Sequence, residues 1–144
     1  TAAYADVLLR GEESEFNDWF REEGDALRAE IGKAAKDAQL ELPEFELSNL
    51  EWSEAEDEQE PLLLVNNDGG ALMATSFLET QRATPAEEGV EIEAQAGAGI
   101  LAGVAQSSSG IETTYQIQVL FAIPPADAPE GTQIQIVGYS QALV

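Results

Sequence analysis

Apolar positions recur with helical spacing over one N-terminal segment and with alternating spacing over most of the rest. From about Ser14 to Ala38 they fall at Phe16, Trp19, Phe20, Leu27, Ile31, Ala34, Ala35 and Ala38. That is the i, i+3, i+4, i+7 stripe of an amphipathic helix. Ser14 is placed to cap it, Glu15 and Asp18 suit the positive end of its dipole, and Lys33 and Lys36 suit the negative end. Gly24 weakens the middle and predicts a kink. Ahead of this segment, Tyr4, Val7, Leu8 and Leu9 form a short apolar arm or helical turn closed by Gly11.

Beyond Pro43 the period becomes two. Phe45, Leu47, Leu50 and Trp52 are interleaved with Glu44, Glu46 and Glu51, which predicts a half-buried strand. An acidic loop over 53–60 follows. Pro61 leads into the apolar run Leu62 to Val65, and Asn66-Asn67-Asp68-Gly69-Gly70 signals a tight turn into a hairpin partner at about 71–80. A loop around Pro85 precedes Val90 and Ile92, which alternate with Glu91 and Glu93. Residues 96–110 are small and glycine-rich, predicting an interrupted strand and then a polar turn. The clearest strand is 113–123, where Tyr115, Ile117, Val119, Phe121 and Ile123 share one face. After a proline-rich loop, 132–144 closes the chain as a last strand. The pattern predicts a mainly β (α+β) fold, with an N-terminal amphipathic helix followed by an antiparallel β-sandwich or jelly-roll-like sheet pair. Residues 1–40, arm and helix, are expected to pack on the core of a sandwich spanning 41–144, as a single domain.

Charge changes this picture most. The chain has 28 Asp and Glu against 6 Lys and Arg, a formal net charge of −22 on 144 residues. Self-repulsion on that scale opposes a compact state in dilute buffer. Yet 44% of the residues are apolar, so the chain is not a disordered acidic tail. At molar salt the Debye length falls to about 3 Å and the repulsion is screened. The composition therefore points to a halophilic protein, in a high-salt cytoplasm or a virion. An acidic partner of basic proteins in ordinary cytosol is the competing explanation.

Composition also excludes chemistry. Cysteine and histidine are both absent, which removes thiol chemistry and the commonest general base and transition-metal ligand. No catalytic residues, cofactor or metal site are expected, and the chain reads as no enzyme. Six basic residues cannot neutralise several phosphates, so nucleic acid is not an expected partner. No apolar run is long enough for membrane insertion. The start, Thr1-Ala2-Ala3-Tyr4, does not read as a secretion signal, and a role for Thr1 as nucleophile has little support.

Several motifs dissolve on inspection. Gly97, Gly99 and Gly103 lack the following helix that a dinucleotide loop needs. Asn66, Asn67 and Asp68 do not have calcium-loop spacing and read as a plain turn. Ser107, Ser108 and Ser109 have no histidine partner. Trp19, Phe20 and Trp52 read as core aromatics.

The functional clue is where acid is missing. From Ile100 to Val144 there are only three acids, Glu112, Asp127 and Glu130. Outward positions of the last two strands carry Gln116, Gln118, Gln133, Gln135 and Gln141 instead, and Leu120 and Ala122 lie opposite the Tyr115 face. Interfaces are depleted in charge at their centres. Gln116, Gln118, Leu120, Gln133, Gln135 and Tyr139 are the expected interface of a non-enzymatic structural or assembly subunit, a virion component or other ordered particle, whose partners are itself or other subunits. A strand buried on both faces within the domain would account for the same pattern. The alternative function is a monomeric binding module for a sugar, cation or peptide.

Overall fold

A computed structural model describes residues 1–94 and 106–144. The fold is α+β, with helices first and antiparallel sheets after. Five strands form the main sheet: β1 (Ser48–Glu56), β2 (Leu62–Val65), β3 (Ala71–Pro85), and, after two short strands, β6 (Ile111–Ile123) and β7 (Gln135–Leu143). Their order is β1-β3-β6-β7, with β2 also on β3. The short strands β4 (Ile92–Glu93) and β5 (Gln106–Ser107) pair only with each other. Among the described residues the second sheet is this two-stranded pair, and the helices pack on one face of the main sheet.

The long strand β3 organises the sheet. The turn at 66–70 closes as expected: Asn66 N–H donates to Gly70 O at 2.7 Å, and Gly69 takes φ +87°, a conformation that favours glycine. β2 pairs with 71–74 and β1 with 77–85, so both run along one edge of β3. Residues 57–61 bulge out between them, opposite Thr75 and Ser76. The expected acidic loop therefore starts later, because Ser53 to Glu56 belong to β1. The expected loop at Pro85 is likewise the end of β3.

The N-terminal layer corrects the expected 14–38 helix. Helix α1 is Ala2–Arg10, with Tyr4, Val7 and Leu8 buried, so the arm is the better-formed element. Single 3-10 turns follow at Gly11–Glu13 and Asn17–Trp19. Then come α2 (Ala26–Ile31) and α3 (Lys33–Leu40). Local chemistry breaks the stripe in three places. The Ser14 hydroxyl donates to Asp6 at 2.5 Å and accepts from Phe16 N–H, fixing a turn. Gly24 takes φ +84°, and Asp25 caps α2 by accepting from Arg28 N–H at 2.9 Å. Gly32 is extended between α2 and α3, where a Cβ would stand 2.3 Å from Arg28 O.

One core joins the two layers. Tyr4, Val7, Leu8, Phe20 and Leu27 pack on Phe77, Ile117, Val119 and Phe121. Tyr4 contacts the Phe20 and Phe121 rings at centroid distances of 5.1 and 5.3 Å. Its hydroxyl bonds to both oxygens of Asp25 at 2.9 Å. Of the expected core aromatics, Phe20 is buried and Trp52 half-buried, but Trp19 is 54% exposed, set edge-on to Phe16.

Candidate functional site

Strand pairing assigns every sheet residue to one of two faces, because side chains alternate and directly paired residues share a side. Phe77, Ile117, Val119 and Phe121 define the face under the helices. The other face is built from cross-strand rows: Leu78–Gln116–Ala142, Ser76–Gln118–Ser140, Ala74–Leu120–Gly138 and Leu72–Ala122–Gln135. Leu62 and Leu64 extend it through Ala74 and Leu72. These rows carry no charged side chain. Charge returns on this face at one end, in the row Glu51–Arg82–Glu112, where Arg82 and Glu112 form an exposed ion pair.

The open face is not flat. Gln59 and Glu60 of the 57–61 bulge rise beside Ser76, Gln118, Leu120 and Ser140 to form a shallow groove of about 460 Å³. Carboxylates stand at its rim. Asp57 accepts from Gln116 Nε2 at 2.7 Å. Its carboxyl is held below the usual range chiefly by the nearby Ser76 hydroxyl, which approaches without full hydrogen-bond geometry, and then by Gln116 and the Glu58 and Gln59 backbone N–H groups. At the β2 end, Leu62 and Leu64 on this face are 72 and 69% exposed, and Leu63 and Val65 on the opposite face are 57 and 72% exposed. Four adjacent apolar side chains left this open are unusual on a free surface.

The structure gathers four of the six interface residues and scatters two. Gln116, Gln118, Leu120 and Gln135 lie on the open face. Tyr139 pairs with Val119 and so belongs to the helix face, where its hydroxyl donates to Glu30 at 2.5 Å. Gln133 precedes β7 and donates through Nε2 to the Asp18 and Phe20 carbonyls, which ties it to the N-terminal layer. The Leu62 to Val65 run was visible as an apolar strand, but nothing in the sequence said that it would be uncovered. Gly97, Gly99 and Gly103 lie outside the described residues.

A second cluster lies under the helices. Lys36, on α3, bonds Glu79 of β3 at 2.6 Å, and both side chains are buried. Glu54 of β1 is directly opposite Glu79 across the pairing. Burial first, and the Glu79 charge second, push the Glu54 carboxyl up to about 8, with Lys36 opposing. One Glu54 oxygen is buried without a partner. The cluster is a buried lysine bonded to Glu79 and to the Ile31 carbonyl, with the Glu54 carboxylate beside it. Sequence reading missed it because Lys36 looked like a dipole partner on a solvated helix end.

Among the described residues no group of three or more carboxylate, histidine or cysteine side chains could hold a metal ion, and no helix is long and apolar enough to cross a membrane. No protein-family model, curated protein or solved structure matches the chain.

Proposed function

We propose that this chain is a salt-adapted, non-enzymatic assembly subunit, a virion component or part of another ordered particle of a halophile, that associates with further copies through the open face of its sheet. The observation that carries the reading is the row pattern: a chain with net charge −22 leaves one sheet face without charge over four consecutive rows. An acidic protein facing brine has no reason to strip carboxylates from a permanently wet surface. Two such chains can approach each other at low electrostatic cost only where carboxylates are missing.

The test is sedimentation in molar KCl across a concentration series, on the natural chain and on Leu120→Glu. Association in the first, and its weakening in the second, are expected. A natural chain that stays monomeric at every concentration overturns the proposal. The second reading, a monomeric module binding a sugar, cation or peptide, is favoured by the groove. Calorimetric heat with glycans, calcium or peptides from a strictly monomeric sample would select it.

A further inference from the structure

The free edge of β7 is unusual for this chain. Its nine residues, Gln135–Leu143, contain no charged side chain and no proline. Exposed edges normally carry such residues, because unpaired N–H and C=O groups recruit other strands. The opposite edge shows the usual guard: β1 carries Glu51, Glu54 and Glu56.

The outward groups of β7 can be assigned. Val144 N–H donates to Thr114 O across the ladder. In an antiparallel pair the bonded residues alternate. Ala142 and Ser140 therefore bond β6, and the N–H and C=O groups of Tyr139, Gln141 and Leu143 point away from the sheet. Before this stretch the edge is already occupied. Arg21 N–H donates to Ile134 O and Ile134 N–H to Trp19 O, both at 2.8 Å, so the 19–21 segment caps it. A register shift between Leu120 and Phe121 places a bulge at Val137. Among the described residues no backbone hydrogen bond reaches the outer side of Gly138 to Leu143.

We infer that this edge pairs with the same edge of a second copy, antiparallel about a two-fold axis through Gln141, so that two five-stranded sheets become one ten-stranded sheet. The inference rests on the assembly reading for the identity of the partner and adds a second contact that joins the copies. An uncharged strand suits an equally acidic partner, whereas a basic peptide would be met by carboxylates. The register follows from the bulge. Centring on Gln141 pairs Tyr139 with Leu143 of the other copy in both directions. All three outward residues on each side are then used and Val137 is avoided. The nearest carboxylate, Glu30, has both oxygens engaged, by Tyr139 Oη and Gln141 Nε2 at 2.5 Å each. Its approach to the second Glu30 makes the contact salt-dependent.

Engineered single cysteines report this contact cleanly, because the chain has none of its own. With a short bis-maleimide in molar KCl, Gln141→Cys is expected to cross-link to itself. Tyr139→Cys and Leu143→Cys chains are expected to cross-link to each other more than to themselves. Gln141→Pro removes one outward donor and leaves the β6 ladder intact, as proline allows on an edge. Should it misfold, Gln141→Glu sets carboxylates face to face on a soluble background. Either variant is expected to weaken the edge contact at least tenfold. The face variant Leu120→Glu should retain the position-141 cross-link. Chains that sediment as oligomers yet give no cross-link at position 141 overturn the edge pairing and leave face association standing. A natural chain that is monomeric throughout overturns both.

Discussion

Glu54 and Glu79 face each other across β1 and β3 beneath the helices, and of these two carboxylates the lysine between the layers bonds Glu79, while it also donates to the Ile31 carbonyl. Two carboxylates at that separation from water cannot both ionise cheaply. Burial and the Glu79 charge accordingly push the Glu54 carboxyl up, with Lys36 opposing.

Stability should consequently fall as pH rises through this group. The Glu54 carboxyl titrates at about 8 in the folded chain, against an ordinary value of 4.5. A folded-state value raised in this way gives stability that is fully present below the ordinary value and is lost as pH climbs past about 8. Glu54→Gln is expected to stabilise the chain at pH 9 by roughly 1–3 kcal/mol, after allowing for partial exposure, and to change little at pH 5. Urea denaturation at the two pH values measures this. An equal effect at both would show that ionisation of Glu54 is not involved.

Removing the lysine should be worse than removing the pair. Lys36→Met leaves Glu79 buried without a counter-charge and is expected to cost about 3–5 kcal/mol. Lys36→Met with Glu79→Leu should recover most of that loss. A double variant as unstable as the single one would mean that Lys36 acts through packing alone.

Tyr4→Phe isolates a different buried contact. The hydroxyl bonds both oxygens of Asp25, itself the cap of α2. Burial raises the Asp25 carboxyl, against the pull of the Arg28 backbone and of Tyr4. Loss of the hydroxyl is expected to cost about 1–3 kcal/mol in thermal or urea unfolding. A neutral result would indicate that water replaces it.

Gly32→Ala addresses the break between α2 and α3. The added Cβ would meet Arg28 O at 2.3 Å, so the chain must shift. A cost of roughly 1–3 kcal/mol is expected, as for other forced overpacking. Unchanged stability would show that the two helices can reorient freely.

Salt supplies the broadest test. With net charge −22, the folded chain should gain stability as KCl rises from millimolar to molar, because repulsion is screened as the Debye length shrinks. Unfolding midpoints that are flat across this range would remove the basis of the halophilic reading.

The sheet was legible because its alternation is strict. Tyr115, Ile117, Val119, Phe121 and Ile123 do share one face, and the glycine-rich turn at 66–70 sits where expected. The helical layer was not. Apolar spacing from Phe16 to Ala38 fits one helix, but Asp25 starts a new one and Gly24 and Gly32 interrupt the path. Periodicity counts faces and is blind to a side chain that caps. The candidate surface was half legible: absent charge can be read from the sequence, but not which side of a strand the helices will choose. Tyr139 shows this, since its partner Val119 takes its side chain to the helix face.

The position of β3 has one more consequence. It is flanked on both edges, except opposite the 57–61 bulge, and is sealed by the turn at 66–70 to its own neighbour. The strands that border water are β1, β2 and β7, the outermost ones. Every outer strand thus leans on one inner strand or its direct neighbour, so a change in β3 reaches the whole sheet, whereas a change in β1, β2 or β7 meets one partner strand.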